Sequence, residues 1–140
     1  MIPSTIERVP LNTADHVNEQ IRRQTDENLA RVLAAGPMAI RQRLAELERE
    51  WDIERVLETN ASSAILVGSA LGAFVDRRFF AVPAVIAAFL LQHAVQGWCP
   101  PLPVLRRIGV RTADEINRER AALKRALGEE RATRSGRRVS

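Results

Sequence analysis

The chain has 140 residues and a formal net charge of +4, and it is 46% hydrophobic but only 4% aromatic. Its one cysteine excludes an intramolecular disulfide framework. Arginines alternate with acidic residues and no aromatic residues lie among them, which argues against a nucleic-acid partner. Because β-branched residues never alternate over the length of a strand, the composition predicts an all-α fold.

Residues 13–58 are predicted to form a cytoplasmic arm of two helices, after a flexible lead at 1–12. The pair Gly36-Pro37 divides the arm, because glycine can end a helix and proline can begin the next one. Apolar residues recur at helical spacing along the second helix, and charged residues occupy its other face. We expect the arm to lie on a membrane surface with Trp51 as an anchor, or to pack against a second copy or a cytoplasmic protein partner.

Two apolar runs, 61–75 and 79–95, follow the arm and are separated only by Asp76, Arg77 and Arg78. They predict a transmembrane helical hairpin at 59–98, with spans at about 60–75 and 79–97. The polar pair Thr59-Asn60 either caps the first span or forms a soft joint in one longer helix. Because a span needs about 20 residues and the first run is short, a soluble helical bundle with 61–95 as its core is the alternative. The bilayer is favoured, since the rest of the chain offers only narrow apolar stripes to cover these runs.

Tryptophan and arginine at the ends of the runs predict where the hairpin meets the membrane surface. The expected membrane-interface residues are Trp51, Trp98, Arg77, Arg78, Arg106 and Arg107. Arginines are abundant before the first run and after the second, so both termini of this multi-pass protein are expected in the cytoplasm.

Small residues at Ala64, Gly68 and Gly72 have the spacing that lets two helix backbones approach closely in lipid. We expect them to join hairpins of different copies in a homo-oligomer. The same spacing also fits a tight hairpin within one chain, and the sequence does not separate the two interpretations.

Three prolines between residues 100 and 103 predict an extended strut that leads the chain out of the membrane, within a segment at 99–128. The capping-box pattern from Thr112 to Glu115 then begins a helix that should end at Gly128. The remaining residues, 129–140, are charged with little to bury and are predicted to be a disordered basic tail.

One family resemblance covers about residues 60–109. The stretch Ile65-Leu66-Val67-Gly68-Ser69-Ala70-Leu71-Gly72, then Phe79-Phe80, then Gly97-Trp98-Cys99-Pro100 resembles the YgaP-like transmembrane domain. The resemblance implies a small hairpin of the bacterial inner membrane that oligomerises through its helices, and it implies no activity. The rhodanese domain that precedes the hairpin in some members, with its own cysteine, is absent from this sequence.

Cys99 is the one candidate for chemistry, as a thiol that accepts sulfur from a separate sulfurtransferase or, more simply, as a small packing residue. His93 would face away from Cys99 on a continuous helix, and the two could meet only if the helix broke, which Gly97 allows. No catalytic, cofactor or metal motif is present, so we expect no enzyme activity and no cofactor. The sequence therefore predicts an oligomerising or partner-binding membrane module.

Overall fold

The computed structural model describes residues 4–139, with side chains as far as Arg137. Within that range the chain forms helices and no strand, so the predicted all-α class is confirmed. A 3-10 turn, Arg77–Phe80, separates α4 from α5. The helices are α1 Arg8–Leu11, α2 Asp15–Ala35, α3 Pro37–Arg49, α4 Ile53–Phe74, α5 Ala81–Gln96, α6 Leu102–Arg107 and α7 Ala113–Val139.

Helices α2, α3 and α7 pack together as one helical bundle. Its buried centre consists of Ile40, Leu47, Ile116 and Leu123, with partly buried leucines around them. These residues recur at helical spacing on α3 and α7, so each helix turns one apolar stripe inward. The chain passes from α2 to α3 through Gly36, whose φ of 94° is in the left-handed region that glycine adopts without strain.

A second core lies where α1, α4 and α6 meet, and it contains Val9, Ile53, Leu57, Cys99 and Leu102. Val9 is 3% exposed, so part of the expected flexible lead is instead a packed helical turn. Residues 1–3 of that lead lie outside the described residues. Within the described residues, α1 packs through Val9 against the end of the apolar hairpin.

One buried arginine, Arg106, joins the bundle to the second core. Arg106 is 1% exposed and donates to both carboxylate oxygens of Glu115, at 2.7 and 2.8 Å. It also donates to Asn18, to Thr13 and to the carbonyl of Val110. Because a buried guanidinium is stable only when its donors are satisfied, this residue fixes α6 against the beginnings of α2 and α7.

Helices α4 and α5 form an antiparallel hairpin that projects from the second core. α4 begins after Asp52, whose side chain accepts a hydrogen bond from the Arg55 amide, and it runs unbroken through Thr59-Asn60 to Phe74. The joint in the chain is therefore at residues 50–52 and not at Thr59-Asn60. Asp76 caps the 3-10 turn at the far end of the hairpin by accepting from the Arg78 amide.

Two C-terminal expectations differ from the structure. The expected extended strut is a turn followed by α6, since prolines that cannot continue a helix can occupy its first positions, as Pro103 does here. The expected helix end at Gly128 and the disordered tail are replaced by a helix that continues to Val139. Alanine, arginine and glutamate favour helix strongly enough to outweigh two glycines, and Glu130 pairs with Arg134 four residues on. Ser140 lies outside the described residues.

Candidate functional site

The base of the hairpin brings Cys99 beside His93. α5 ends at Gly97, which has a φ of 78°, and this left-handed residue turns the chain back toward the helix that it has just left. Cys99 and His93 consequently line the same cavity, and their side chains interact. The helix break that the sequence allowed at Gly97 is therefore the one that occurs.

Glu54, in the first turn of α4, holds the other side of the His93 ring. Its Oε2 lies 3.1 Å from His93 Nε2, and its Oε1 accepts from Arg8 Nη2 at 2.8 Å. The hydrogen bond with His93, together with the charges of His93 and Arg8, holds the pKa of the Glu54 carboxyl below its usual value despite partial burial. Glu54 is thus an ionised acceptor that fixes the orientation of the imidazole.

The tautomer of His93 follows from this contact. A carboxylate can only accept, so the proton shared with Glu54 belongs to Nε2, and Nδ1 is the ring position that gains or loses the second proton. His93 is 2% exposed, and its Nδ1 makes no hydrogen bond of normal geometry within the described part of the chain. Buried polar atoms without a hydrogen bond are uncommon, so each one calls for an explanation such as a catalytic role or a bound water or ion.

Helix α1 closes the base of the hairpin. Arg8 Nη1 donates to the carbonyl of Ala94, and Asn12 donates to the carbonyl of Gln96, each at 2.8 Å. These are carbonyls of the last turn of α5, which have no partner within their own helix. A Cβ on Gly97 would lie 2.5 Å from the carbonyl oxygen of Arg8, so this close approach of α1 requires glycine there.

A cavity of about 410 Å³ opens beside Cys99 and His93 between α4, α5 and the turn before α6. Its walls are almost entirely apolar and include Ala61, Ala64, Ile86, Phe89 and Leu90. On each helix these positions share one face, because they are three or four residues apart. We call this cavity the base groove.

The predicted helix-packing residues occupy different parts of the hairpin. Gly68 and Gly72 are buried against the returning chain, and a Cβ on them would lie 2.9 Å from Pro83 of α5 and 2.8 Å from Phe80 of the 3-10 turn. Ala64 lines the base groove. The glycines therefore bring α4 and α5 of one chain together, as in the second of the two sequence interpretations, and their face is not open to another copy.

The predicted membrane-interface residues also lie in different parts of the structure. Arg77 and Arg78 are exposed at the far end of the hairpin, and Arg107 is exposed after α6. Trp51 is 45% exposed with the Arg55 guanidinium over its ring, whereas Trp98 is partly buried against the second core. Arg106 differs from the expectation, because its buried guanidinium contacts Glu115 and not the solvent or headgroups.

Sequence reasoning did not identify Glu54 and Arg8 as members of the site. Both lie far from Cys99 along the chain, and neither belongs to a recognisable motif. The one local signal was Gly97. Among the described residues no group of three or more His, Cys, Asp or Glu could hold a metal ion.

One helical stretch of the described residues, Arg77–Gln96, is long and apolar enough to cross a membrane, and only 6% of its apolar window is buried. α4 does not meet the same test, because Glu58 and Asn60 lie in its first half. The presence of one candidate span is confirmed, and the second span stays a prediction. Comparison with family models, curated proteins and solved structures finds no match to this chain.

Proposed function

We propose that the chain is a membrane-anchored interaction protein, with the α4–α5 hairpin in the lipid and the bundle of α2, α3 and α7 in the cytoplasm. The observation that carries the proposal is the exposure of large apolar side chains along both hairpin helices. Leu66, Val67, Phe74 and Leu91 are 69%, 61%, 88% and 67% exposed. A continuous apolar surface of this kind is typical of a membrane or protein contact and unusual in water.

The distribution of burial favours lipid over the soluble alternative. In a soluble bundle, 61–95 would have to be the core, yet both buried cores lie in other parts of the described chain. Charged groups mark the two ends of the hairpin, with Asp76, Arg77 and Arg78 at one end and Arg8 and Glu54 at the other. This is the charge distribution expected if apolar surface between two polar ends is immersed in a bilayer.

The apolar part of α4 is short for a full crossing. Residues 61–75 span about 22 Å at 1.5 Å per residue, against a hydrocarbon core of about 30 Å. Local thinning of the bilayer and arginines that extend to the headgroups can compensate for such a mismatch. Arg77 and Arg78 are placed to do so.

Further parts of the proposal are the inner-membrane location, the cytoplasmic termini and the partner. We place the partner-binding surface on the bundle, whose outer faces are charged. Self-association would use the outer faces of the hairpin, since Val82, Pro83 and Phe80 occupy the glycine face. The YgaP-like resemblance stays a prediction, as does the absence of enzyme activity.

Carbonate extraction of membranes from expressing cells tests the proposal. The full-length protein should stay in the pellet with integral proteins, and the double variant Ala88→Glu/Leu91→Glu should appear in the wash. The control Gln42→Glu, on the exposed surface of α3, should behave as wild type. Wild-type protein that appears in the wash would refute the membrane anchor.

A second candidate function is that of an acceptor thiol, which the order Cys99–His93–Glu54 favours. A nucleophile next to a base that is itself oriented by a carboxylate is the arrangement that activates thiols. In this proposal Cys99 accepts sulfur from a separate sulfurtransferase. Persulfide labelling by a charged sulfurtransferase should occur in the wild type and be lost in Cys99→Ser, and a wild type without label would end this candidate.

A further inference from the structure

We infer that the base groove binds the alkyl chain of a fatty acyl thioester and that Cys99 accepts its acyl group. The inference rests on the proposed acceptor thiol and names the class of its substrate. Two observations point to a ligand here: an apolar groove of ligand size, and a buried imidazole beside it whose Nδ1 makes no hydrogen bond of normal geometry within the described residues.

The groove has a polar end and an apolar end. The register of the hairpin is given by Gly68 opposite Pro83 and by Glu54 against His93, which places Leu57 near His93 and Ala64 near Ile86. Cys99 and His93 thus lie at the base, and the walls toward the middle of the hairpin are apolar. This matches a molecule with one reactive head and one alkyl chain.

The dimensions also suit a chain. The groove follows α4 from Leu57 to Ala64, which is about 10 Å at 1.5 Å per residue. Its volume of about 410 Å³ lies in the range of about 300–1,000 Å³ that is typical of ligand sites. It forms because the glycines hold the helices close near the turn, whereas Ala61 and Ala64 are too small to fill the wider space near the base.

The site residues can carry out each step of an acyl transfer. His93 Nδ1 takes the proton from the Cys99 thiol, while Nε2 keeps its proton on Glu54. The thiolate attacks the thioester carbonyl carbon, a new carbon–sulfur bond forms, and the bond to the leaving thiol sulfur breaks. The leaving thiolate then takes the proton from Nδ1. One thioester is exchanged for another, with no oxidant or reductant.

The apolar lining is what favours an acyl donor over a donor of sulfur alone. Sulfane sulfur carries no alkyl chain, so its transfer to Cys99 would leave the groove without a use. An acyl chain on Cys99 would extend along Ala64 and Leu90 in the direction of the exposed apolar surface of the hairpin.

The test uses full-length protein in phospholipid nanodiscs, incubated with palmitoyl- or octanoyl-coenzyme A and, in parallel, with inorganic polysulfide. Intact mass should show one acyl group that neutral hydroxylamine removes, and Cys99→Ser should show none. Ala64→Phe, which fills the groove, should slow acylation at least tenfold while persulfide formation stays within twofold. The matched control Ala88→Phe, on the exposed side of α5, should acylate as wild type.

Each other outcome overturns the inference in an identifiable way. Persulfide without acylation in the wild type would leave the acceptor thiol standing and refute the acyl substrate. Equal acylation of the wild type and Ala64→Phe would refute the groove as the binding site of the acyl chain. Acylation of Cys99→Ser would refute Cys99 as the acceptor. A wild type that takes neither group would remove the acceptor thiol as well. Helicity and the thermal transition of every variant establish that a loss is not a failure to fold.

Discussion

Glu119 is a carboxylate buried inside the bundle, where Arg43 and Arg111 both donate to it. Burial alone would raise the pKa of this carboxyl, but the hydrogen bonds from the two guanidinium groups outweigh it, so the pKa is below its ordinary value of 4.5. The pKa of Glu115, bound by Arg106, is lowered in the same way. Both groups are therefore expected to stabilise the fold only while ionised.

The sign of the pH dependence follows from those lowered pKa values. A carboxyl whose folded pKa is depressed stabilises fully above its unfolded value and loses that contribution as the pH falls through the folded value. We expect the thermal transition to be nearly constant from pH 7 to about pH 5 and to fall steadily below about pH 4.5. A transition that rises on acidification would contradict this assignment.

Glu119→Gln tests the same contact directly. It leaves the buried guanidinium of Arg111 and the partly buried one of Arg43 without their shared charge, and we expect the free energy of unfolding at pH 7 to drop by about 3 kcal/mol. Glu48→Gln, at an exposed position of α3, is the control and should change it by less than about 0.5 kcal/mol. Denaturant titration measures both, and the loss in Glu119→Gln should shrink toward pH 3.

Substitutions at Gly97 and Gly109 distinguish the free-energy cost of backbone strain from that of a steric clash. Both have positive φ, 78° and 91°, but a Cβ on Gly97 would meet the Arg8 carbonyl at 2.5 Å, whereas nothing lies within 4 Å of one on Gly109. Gly109→Ala should cost about 1–2 kcal/mol from conformation alone. Gly97→Ala should cost clearly more and should release α1 from the hairpin, seen as faster amide exchange in α1. Equal costs would show that α1 does not contact Gly97.

At the scale of elements, the α4–α5 hairpin depends on the glycines of α4. In an open helical position such as Gly128, alanine should stabilise by about 1 kcal/mol. At Gly68 the added methyl would lie 2.9 Å from the Pro83 ring, which cannot move without its backbone. We therefore expect Gly68→Ala to lower the thermal transition and Gly128→Ala to raise it.

A higher thermal transition in both Gly68→Ala and Gly128→Ala would contradict this prediction. A gain at Gly68 would mean that the helices are not in contact there. Crosslinking of copies should be unchanged in Gly68→Ala, since the glycines contact their own chain. Loss of crosslinks without loss of stability would instead restore the interpretation in which they join different copies.

Local sequence signals predict which helices form better than they predict where each helix begins and ends. The Gly36-Pro37 pair marks a helix junction in both the sequence and the structure, because neither residue suits a helix interior. The break between α3 and α4 at 50–52 is marked in the sequence by one capping residue, Asp52. The adjacent polar residues Thr59 and Asn60 are a stronger capping signal, although they lie inside α4. The prolines at 100–103 predict an extended segment, although Pro103 lies in the first turn of a helix, where a proline leaves no hydrogen bond unmade.

At the scale of the whole molecule, the complete candidate site could not be predicted because three distant segments build it. Arg8, Glu54, His93 and Cys99 meet only after α1 folds across the base of the hairpin. Periodicity along one helix records which face is apolar, and it does not record which residue of another helix lies opposite. The buried role of Arg106 was hidden for the same reason, since its partner Glu115 is in α7.

The molecule thus has two parts whose surfaces require different surroundings. The bundle and the second core bury their apolar residues within the protein, and the ion pair of buried Arg106 with Glu115 connects them. The hairpin leaves its apolar residues exposed. Contact between those side chains and lipid is the claim on which the proposed membrane anchor depends.

Spin-label accessibility in a bilayer measures that contact directly. A label at Ala88→Cys on the exposed side of α5 is compared with one at Gln42→Cys on α3, both in a Cys99→Ala background. We expect the Ala88 label to be relaxed strongly by oxygen and hardly by a water-soluble nickel chelate, and the Gln42 label to show the reverse. Equal accessibility to the nickel chelate at the two positions would contradict it.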